Sequence, residues 1–385
     1  MTDPAIDAFR LREYPELDAV FLNSASYGLI PRSSLEAVNS LTARRNRPLG
    51  VPDAEPGDAL RRARRSAGAL IGVPSREIAL VPNTTFGIQL GASLVSSGPP
   101  GRVVVSAGEF PANVLPWLSL EAMGFEVEVV PLRDDLPDED ALLEALAGGD
   151  VRALSISAVQ YASGFRADLA RLGEACRAAD TVFVVDAIQA LGTVPLEPRA
   201  LGIDVLATGG QKWLCAPWGS GFAWVDPRHW SRLSPPVVSW LAVKGGAAYS
   251  TQDGYALDYL EDARRFEPAT LGVQDYLGLA ISIEALLELG LDRIRAHHLA
   301  LQQPLLDWVA ERNDVRCVTP EEPAKRGGIL ALEVADPGGA LAQLEAAGLR
   351  AAVRDGFLRF APHVQVTVSD LHRTVEALES WLDRS

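Results

Sequence analysis

Two residues in this chain have the chemistry of a reactive site. Asp186 ends the run Val182-Phe183-Val184-Val185, and Lys212 follows Val205-Leu206-Ala207-Thr208-Gly209-Gly210 by two positions. A carboxylate in apolar surroundings can keep a nitrogen base protonated. A lysine amine in the same surroundings is a nucleophile and a proton-transfer base. Taken singly, each is read as a helix cap or a solvated charge, because charged side chains are usually exposed. Taken together, at the ends of two buried runs and beside a Gly-Gly turn, they favour one shared crevice.

The elements around them must make that crevice. Val182 to Asp186 is apolar and mostly β-branched, the pattern of a strand buried on both faces. The run before Gly209 is a second such strand. Leu191 to Gly202 is long enough for a crossover, so the strands are expected to be parallel with their C-terminal ends on one edge. Ligands bind at that edge in open α/β sheets. The cofactor that needs this pair is pyridoxal 5'-phosphate (PLP), whose aldehyde attaches to a lysine and whose ring nitrogen is held protonated by a carboxylate.

Composition narrows the classes. The 385 residues carry a net charge of −15, which argues against nucleic acid and anionic membrane as partners. Three scattered cysteines, Cys176, Cys215 and Cys317, suggest a reducing compartment with no disulfide framework and no metal site. No run reaches membrane-spanning length and no signal-peptide core stands at the start, so a cytoplasmic location is expected. The RRARR run within Arg61 to Ile71 reads as a solvated or dimer-facing helix surface.

Further candidates follow in chain order. Asn23 to Ser26 closes a short apolar start and reads either as a turn or as pocket lining. Thr84 and Thr85 open a helical pattern, where hydroxyls and free N–H groups make an anion site; the plainer reading is N-capping by Thr84. Gln189 lies three residues beyond Asp186, facing cofactor or substrate. Gln211 and Thr208 flank the lysine turn. Val243 to Asp253, with Gly245-Gly246, reads as a mobile loop.

The stretch VVDAIQALGTVPLEPRALGIDVLATGGQKWLCAPWGSGFAWV resembles the signature of class V aminotransferases among the fold-type I PLP enzymes, a group with cysteine desulfurases, kynureninases and isopenicillin N epimerase-like proteins. The resemblance runs from about Phe21 to the C-terminus. It implies an α/β fold with a large PLP-binding domain over 15–270, built on a mostly parallel seven-stranded sheet flanked by helices. A smaller C-terminal α/β domain over 271–385 would include residues 1–14. It implies that Phe110 stacks on the pyridine ring, that Gln211 and Thr208 could bond the PLP phosphate, that Tyr161 lies near the cofactor, and that Arg359 grips a substrate α-carboxylate through paired hydrogen bonds. Thr270 would reach the PLP phosphate of a second copy, giving a homodimer with shared sites. The stretch from Ala346 to His363 lacks the cysteine that desulfurases carry there, which argues against persulfide chemistry. The expected activity is transamination of an amino-acid-like substrate. C–S cleavage and epimerisation are the alternatives, and a PLP-binding protein without turnover is the outside case.

Overall fold

The computed structural model describes residues 3–246 and 256–383. Seven strands, six of them rich in buried apolar residues and the edge strand β3 half-exposed, form one sheet: β1 (Ile78–Leu80), β2 (Arg102–Ser106), β3 (Glu126–Val130), β4 (Val151–Ser157), β5 (Val182–Asp186), β6 (Val205–Gly209) and β7 (Gly221–Val225). Their spatial order is β1-β7-β6-β5-β4-β2-β3. Only β7 runs antiparallel to its neighbours, as the hairpin partner of β6. The expected mostly parallel seven-stranded sheet is present.

Continuous apolar strands make sense because both faces are covered. Phe183 and Val185 enter one core with Leu154, Leu206 and Trp224. Val182 and Val184 enter the other with Val103, Ala207 and Trp117, under the helix Thr84–Ser96. The crossover from β5 to β6 is a chain of turns rather than a helix, and Leu191 and Leu196 seal it against the first core.

A second antiparallel sheet joins β8 (Arg316–Cys317), β9 (Leu330–Glu333), β10 (Ala352–Arg354) and β11 (Phe357–Phe360) in the order β8-β9-β11-β10. The helices Leu291–Ala310, Pro337–Ala346 and Val368–Leu382 pack with it. On β11, Leu358 and Phe360 enter this core while Arg359 points to the other face, as period-two alternation requires.

Packing crosses the expected domain limits. Tyr276, Leu279 and Ile283 of the helix Val273–Leu289 lie in the core of the large sheet, as do Ile6, Phe9 and Tyr14. Both segments were expected with the smaller domain. The segment after Val20 does the reverse: Leu22 enters the small core, and Asn23 bridges Ala361 beyond β11. The RRARR helix is also less solvated than expected, since Arg62 pairs with Glu284 and Arg64 with Glu267. Of the glycine-containing loop Val243 to Asp253, residues 247–253 lie outside the described residues.

One close approach fixes this N-terminal segment against the large domain. Gly28 N–H donates to the Gln211 carbonyl at 2.8 Å, and a Cβ on Gly28 would sit 2.1 Å from the Lys212 carbonyl oxygen. Overpacking of this kind costs roughly 1–3 kcal/mol. Gly28→Ala is therefore expected to lower the urea midpoint; an unchanged midpoint would contradict the packing described.

Candidate active site

The reactive groups gather at the C-terminal edge of the parallel strands. Asp186 ends β5, paired in register with Ser157 of β4 on one side and Ala207 of β6 on the other. It is buried and accepts one backbone hydrogen bond, from Ile188 N–H at 2.9 Å. Burial pushes its pKa up to about 6, against the opposing pull of the Ile188 N–H and the Lys212 charge. After β6 the chain turns tightly: Gly210 N–H donates to Ser220, Ala216 N–H to Gly210, and Cys215 N–H to Lys212. This turn aims Lys212 back over the strand ends. Burial pushes its pKa down to about 8, opposed by Asp186 and reinforced by the positive charges of Arg359 and Arg354. Asp186 and Lys212 thus feel each other's charge as inferred from their spacing, yet no ion pair joins them.

Phe110 lies in the turn after β2. Its ring is 46% exposed, and the Lys212 Nζ lies 5.5 Å from the ring centroid. Tyr161 meets the same ring edge-on at 5.4 Å, in the favoured aromatic geometry. The Tyr161 hydroxyl donates to Asp355 Oδ2 at 2.6 Å, and burial together with Asp355 pushes its pKa up to about 12, so it stays a neutral phenol.

Arg359 is nearly fully buried. Its Nη1 donates to the Tyr161 carbonyl at 2.7 Å, and its Nη2 to Ser26 Oγ at 2.9 Å and Asn23 Oδ1 at 3.2 Å. Its Nε is buried with no partner, and among the described residues no carboxylate pairs with it. A buried, unneutralised guanidinium with a donor to spare is a receptor for an anion. Asn23 and Ser26, in the turn after Leu22, support that arginine.

Asn83, not Thr84, caps the helix Thr84–Ser96, accepting from Phe86 N–H at 3.0 Å. Thr84 Oγ1 is buried and has no hydrogen-bond partner, while Thr85 is exposed in the same first turn. The helix packs on β6, the strand that delivers Lys212. A buried hydroxyl without a partner costs free energy, and a phosphate at this helix start would satisfy it.

Two of the expected donors make hydrogen bonds within the protein. Gln189 is committed to the protein: its Oε1 accepts from Trp213 Nε1 at 2.7 Å and its Nε2 donates to the Ala25 carbonyl at 3.0 Å. It ties the lysine turn to the N-terminal segment and keeps a second Nε2 proton. Thr208 is fully buried and its hydroxyl donates to the Gly209 carbonyl at 3.1 Å, so its proton is not offered to an anion. Gln211 is half-buried with its side chain against Gly209, and Thr270 is exposed in the segment after the Ala263–Phe266 turn, which packs on β1.

Two residues escaped the sequence reading. Arg354 of β10 donates to Ser26 Oγ at 3.1 Å, beside Arg359; the sequence sign was a second arginine five positions before Arg359 across an Asp-Gly hairpin. Glu109, buried next to Phe110, was marked only by a carboxylate closely following an apolar run. The cysteines behave as expected of structural thiols. Burial pushes Cys176 and Cys215 up to about 12 and Cys317 to about 11, far from the thiolate that persulfide chemistry needs. Among the described residues there is no cluster of three or more metal-ligating side chains and no helix long and apolar enough to cross a membrane.

The sheet order, with an unpaired half-buried lysine and a buried carboxylate at its C-terminal edge, defines the fold-type I architecture of PLP enzymes. A solved cysteine desulfurase from Thermococcus onnurineus NA1 shares it, with a TM-score of 0.88, 20% identity and full coverage of both chains. The chain belongs to the class-V aminotransferase family, whose model matches residues 20–356. Among its relatives, an isopenicillin N epimerase from Streptomyces clavuligerus is 30% identical over 94% of each chain. A probable cysteine desulfurase from Aeropyrum pernix is 27% identical over 86% of this chain and 83% of its own.

The lowered lysine sets a pH dependence. Only the neutral amine attacks an aldehyde, so the rate of PLP attachment should rise as pH passes about 8 and level off above it. Arg354→Gln removes a positive neighbour and should move that midpoint upward. Stopped-flow absorbance measures both; a midpoint unmoved by the substitution would show that Arg354 does not face the lysine.

Proposed function

We propose that this protein is a PLP-dependent enzyme acting at the α-carbon of an amino-acid-like substrate, with transamination as its reaction. The observation that carries this reading is the pair Asp186 and Lys212, desolvated, mutually sensed and unpaired, beneath the open ring of Phe110. When bound, the cofactor supplies an electron sink for the pair left behind as the α-carbon loses its proton. Thr84, Thr85 and the helix start bind its phosphate, with Gln211 beside them. Asp186 holds the proton on the ring nitrogen, and a nearby positive charge would itself favour the ionised aspartate. Phe110 covers one face of the ring. Arg359, braced by Asn23 and Ser26, grips the substrate carboxylate and so orients the α-carbon. Lys212 would anchor the cofactor and then, once substrate has displaced it, move the proton from the substrate's α-carbon to C4′ of the cofactor.

Lys212 is the one base the site offers in that position among the described residues, and one base suffices for transamination or for elimination. The second reading is epimerisation, favoured by the 30% identity with an isopenicillin N epimerase. It requires an acid on the opposite face, and Tyr161 is the neutral phenol nearest Phe110. Persulfide formation is set aside, because no described cysteine carries a low pKa. Thr270, exposed near the sheet edge, supports a homodimer in which each copy completes the other's phosphate site.

Amino acids should be screened for keto-acid-dependent amine transfer, for pyruvate or sulfide release, and for solvent deuterium uptake at the α-carbon. Amine transfer is the predicted outcome; deuterium uptake with retained amine and inverted product would replace it with epimerisation. Asp186→Ala should cost on the order of a hundredfold or more in turnover while leaving the fold intact. Unchanged turnover would remove the aspartate from the chemistry.

A further inference from the structure

Glu109 is a buried carboxyl with an unusually complete set of donors. Its Oε1 accepts from Ser157 N–H at 2.7 Å, and its Oε2 accepts from Asn113 Nδ2 at 3.0 Å and contacts the Ser157 hydroxyl. Asn113 is fixed in turn, accepting from Ser155 Oγ at 2.6 Å. Ser155 and Ser157 both belong to β4, and Ser157 is the register partner of Asp186. The carboxyl therefore fastens the turn carrying Phe110 to the strand beside Asp186. No lysine, arginine or histidine pairs with it among the described residues, and the charge that faces it is Asp186. Two buried carboxyls that feel each other's charge, neither of them in an ion pair among the described residues, leave room for a positive charge.

We propose that Glu109 is a positioning residue of the cofactor site: it holds Phe110 over Lys212, and its negative charge, joined to that of Asp186, favours a cationic ring between the two elements. This rests on the PLP reading above. Burial, with a smaller push from Asp186, raises the Glu109 pKa to about 7, against the hydrogen bonds from Ser157 and Asn113. The sign follows. Below about 7 the carboxyl is neutral and adds nothing to the field; above it, the charge appears and a protonated ring nitrogen is held more tightly.

Glu109→Gln keeps the hydrogen-bonding shape and removes the charge, whereas Glu109→Ala removes both. PLP affinity is measured by equilibrium dialysis at pH 6 and pH 8 in Lys212→Ala protein, where the lysine's own titration is absent, with and without Glu109→Gln. The tightening from pH 6 to pH 8 should be greater with Glu109 than with glutamine, by a factor on the order of ten. Glu109→Ala should in addition weaken PLP binding at both pH values and reduce the circular dichroism of the bound ring, with glutamine restoring both. Equal pH responses with Glu109 and with glutamine, or wild-type binding by Glu109→Ala, would overturn the proposal alone. Failure of the wild-type protein to bind PLP would overturn the cofactor reading and this inference with it.

Discussion

The structure depends on keeping one carboxylate and one amine out of water without letting them neutralise each other. Asp186 and Lys212 sit at the ends of adjacent parallel strands, and each has its pKa displaced toward the neutral form by burial. Direct pairing would relieve both and leave nothing for a ligand. Instead each is left open, as the proposed cofactor requires: a nitrogen cation for the aspartate, an aldehyde carbon for the lysine. The free energy lost to desolvation is recovered only when something with both features occupies the crevice.

The same logic extends outward. Thr84 Oγ1 and Arg359 Nε are buried polar atoms without partners, one at a helix start and one in a pocket wall. Buried polar groups in folded proteins are normally satisfied. The proposed cofactor phosphate and substrate carboxylate would satisfy these two atoms. The N-terminal segment makes this geometry possible. Asn23 and Ser26 brace Arg359, Ala25 accepts from Gln189, and Gly28 docks on the lysine turn, so a stretch remote in sequence ties the small sheet to the catalytic edge of the large one.

Much of this was legible in the chain because the parallel strands are apolar on both faces. Their runs stand out, and the residue after each run marks the binding edge. Asp186, Lys212 and the Phe110 turn could be placed that way. The helix and strand order of the C-terminal part was equally readable from period. What could not be read were partnerships set by the packing of distant segments. Gln189 looked like a ligand contact because of its distance from Asp186, but Trp213 and Ala25 claim its amide. The sequence favours Thr84 as an anion donor with capping as the alternative, and Asn83 one residue earlier takes the capping role. The packing near the expected domain limit was hidden in the same way: the helix Val273–Leu289 is apolar enough to serve either core, and it packs against the helices at Arg32–Arg45 and Glu55–Ile71.

The central claim is that the amine of Lys212 is the attachment point of a PLP aldehyde. Borohydride reduction of the PLP-treated protein, followed by proteolysis and mass spectrometry, tests it directly. The account predicts a single phosphopyridoxyl adduct, on the peptide containing Lys212 and absent from Lys212→Ala. An adduct on Lys244 or Lys325, or none on any lysine, would contradict it.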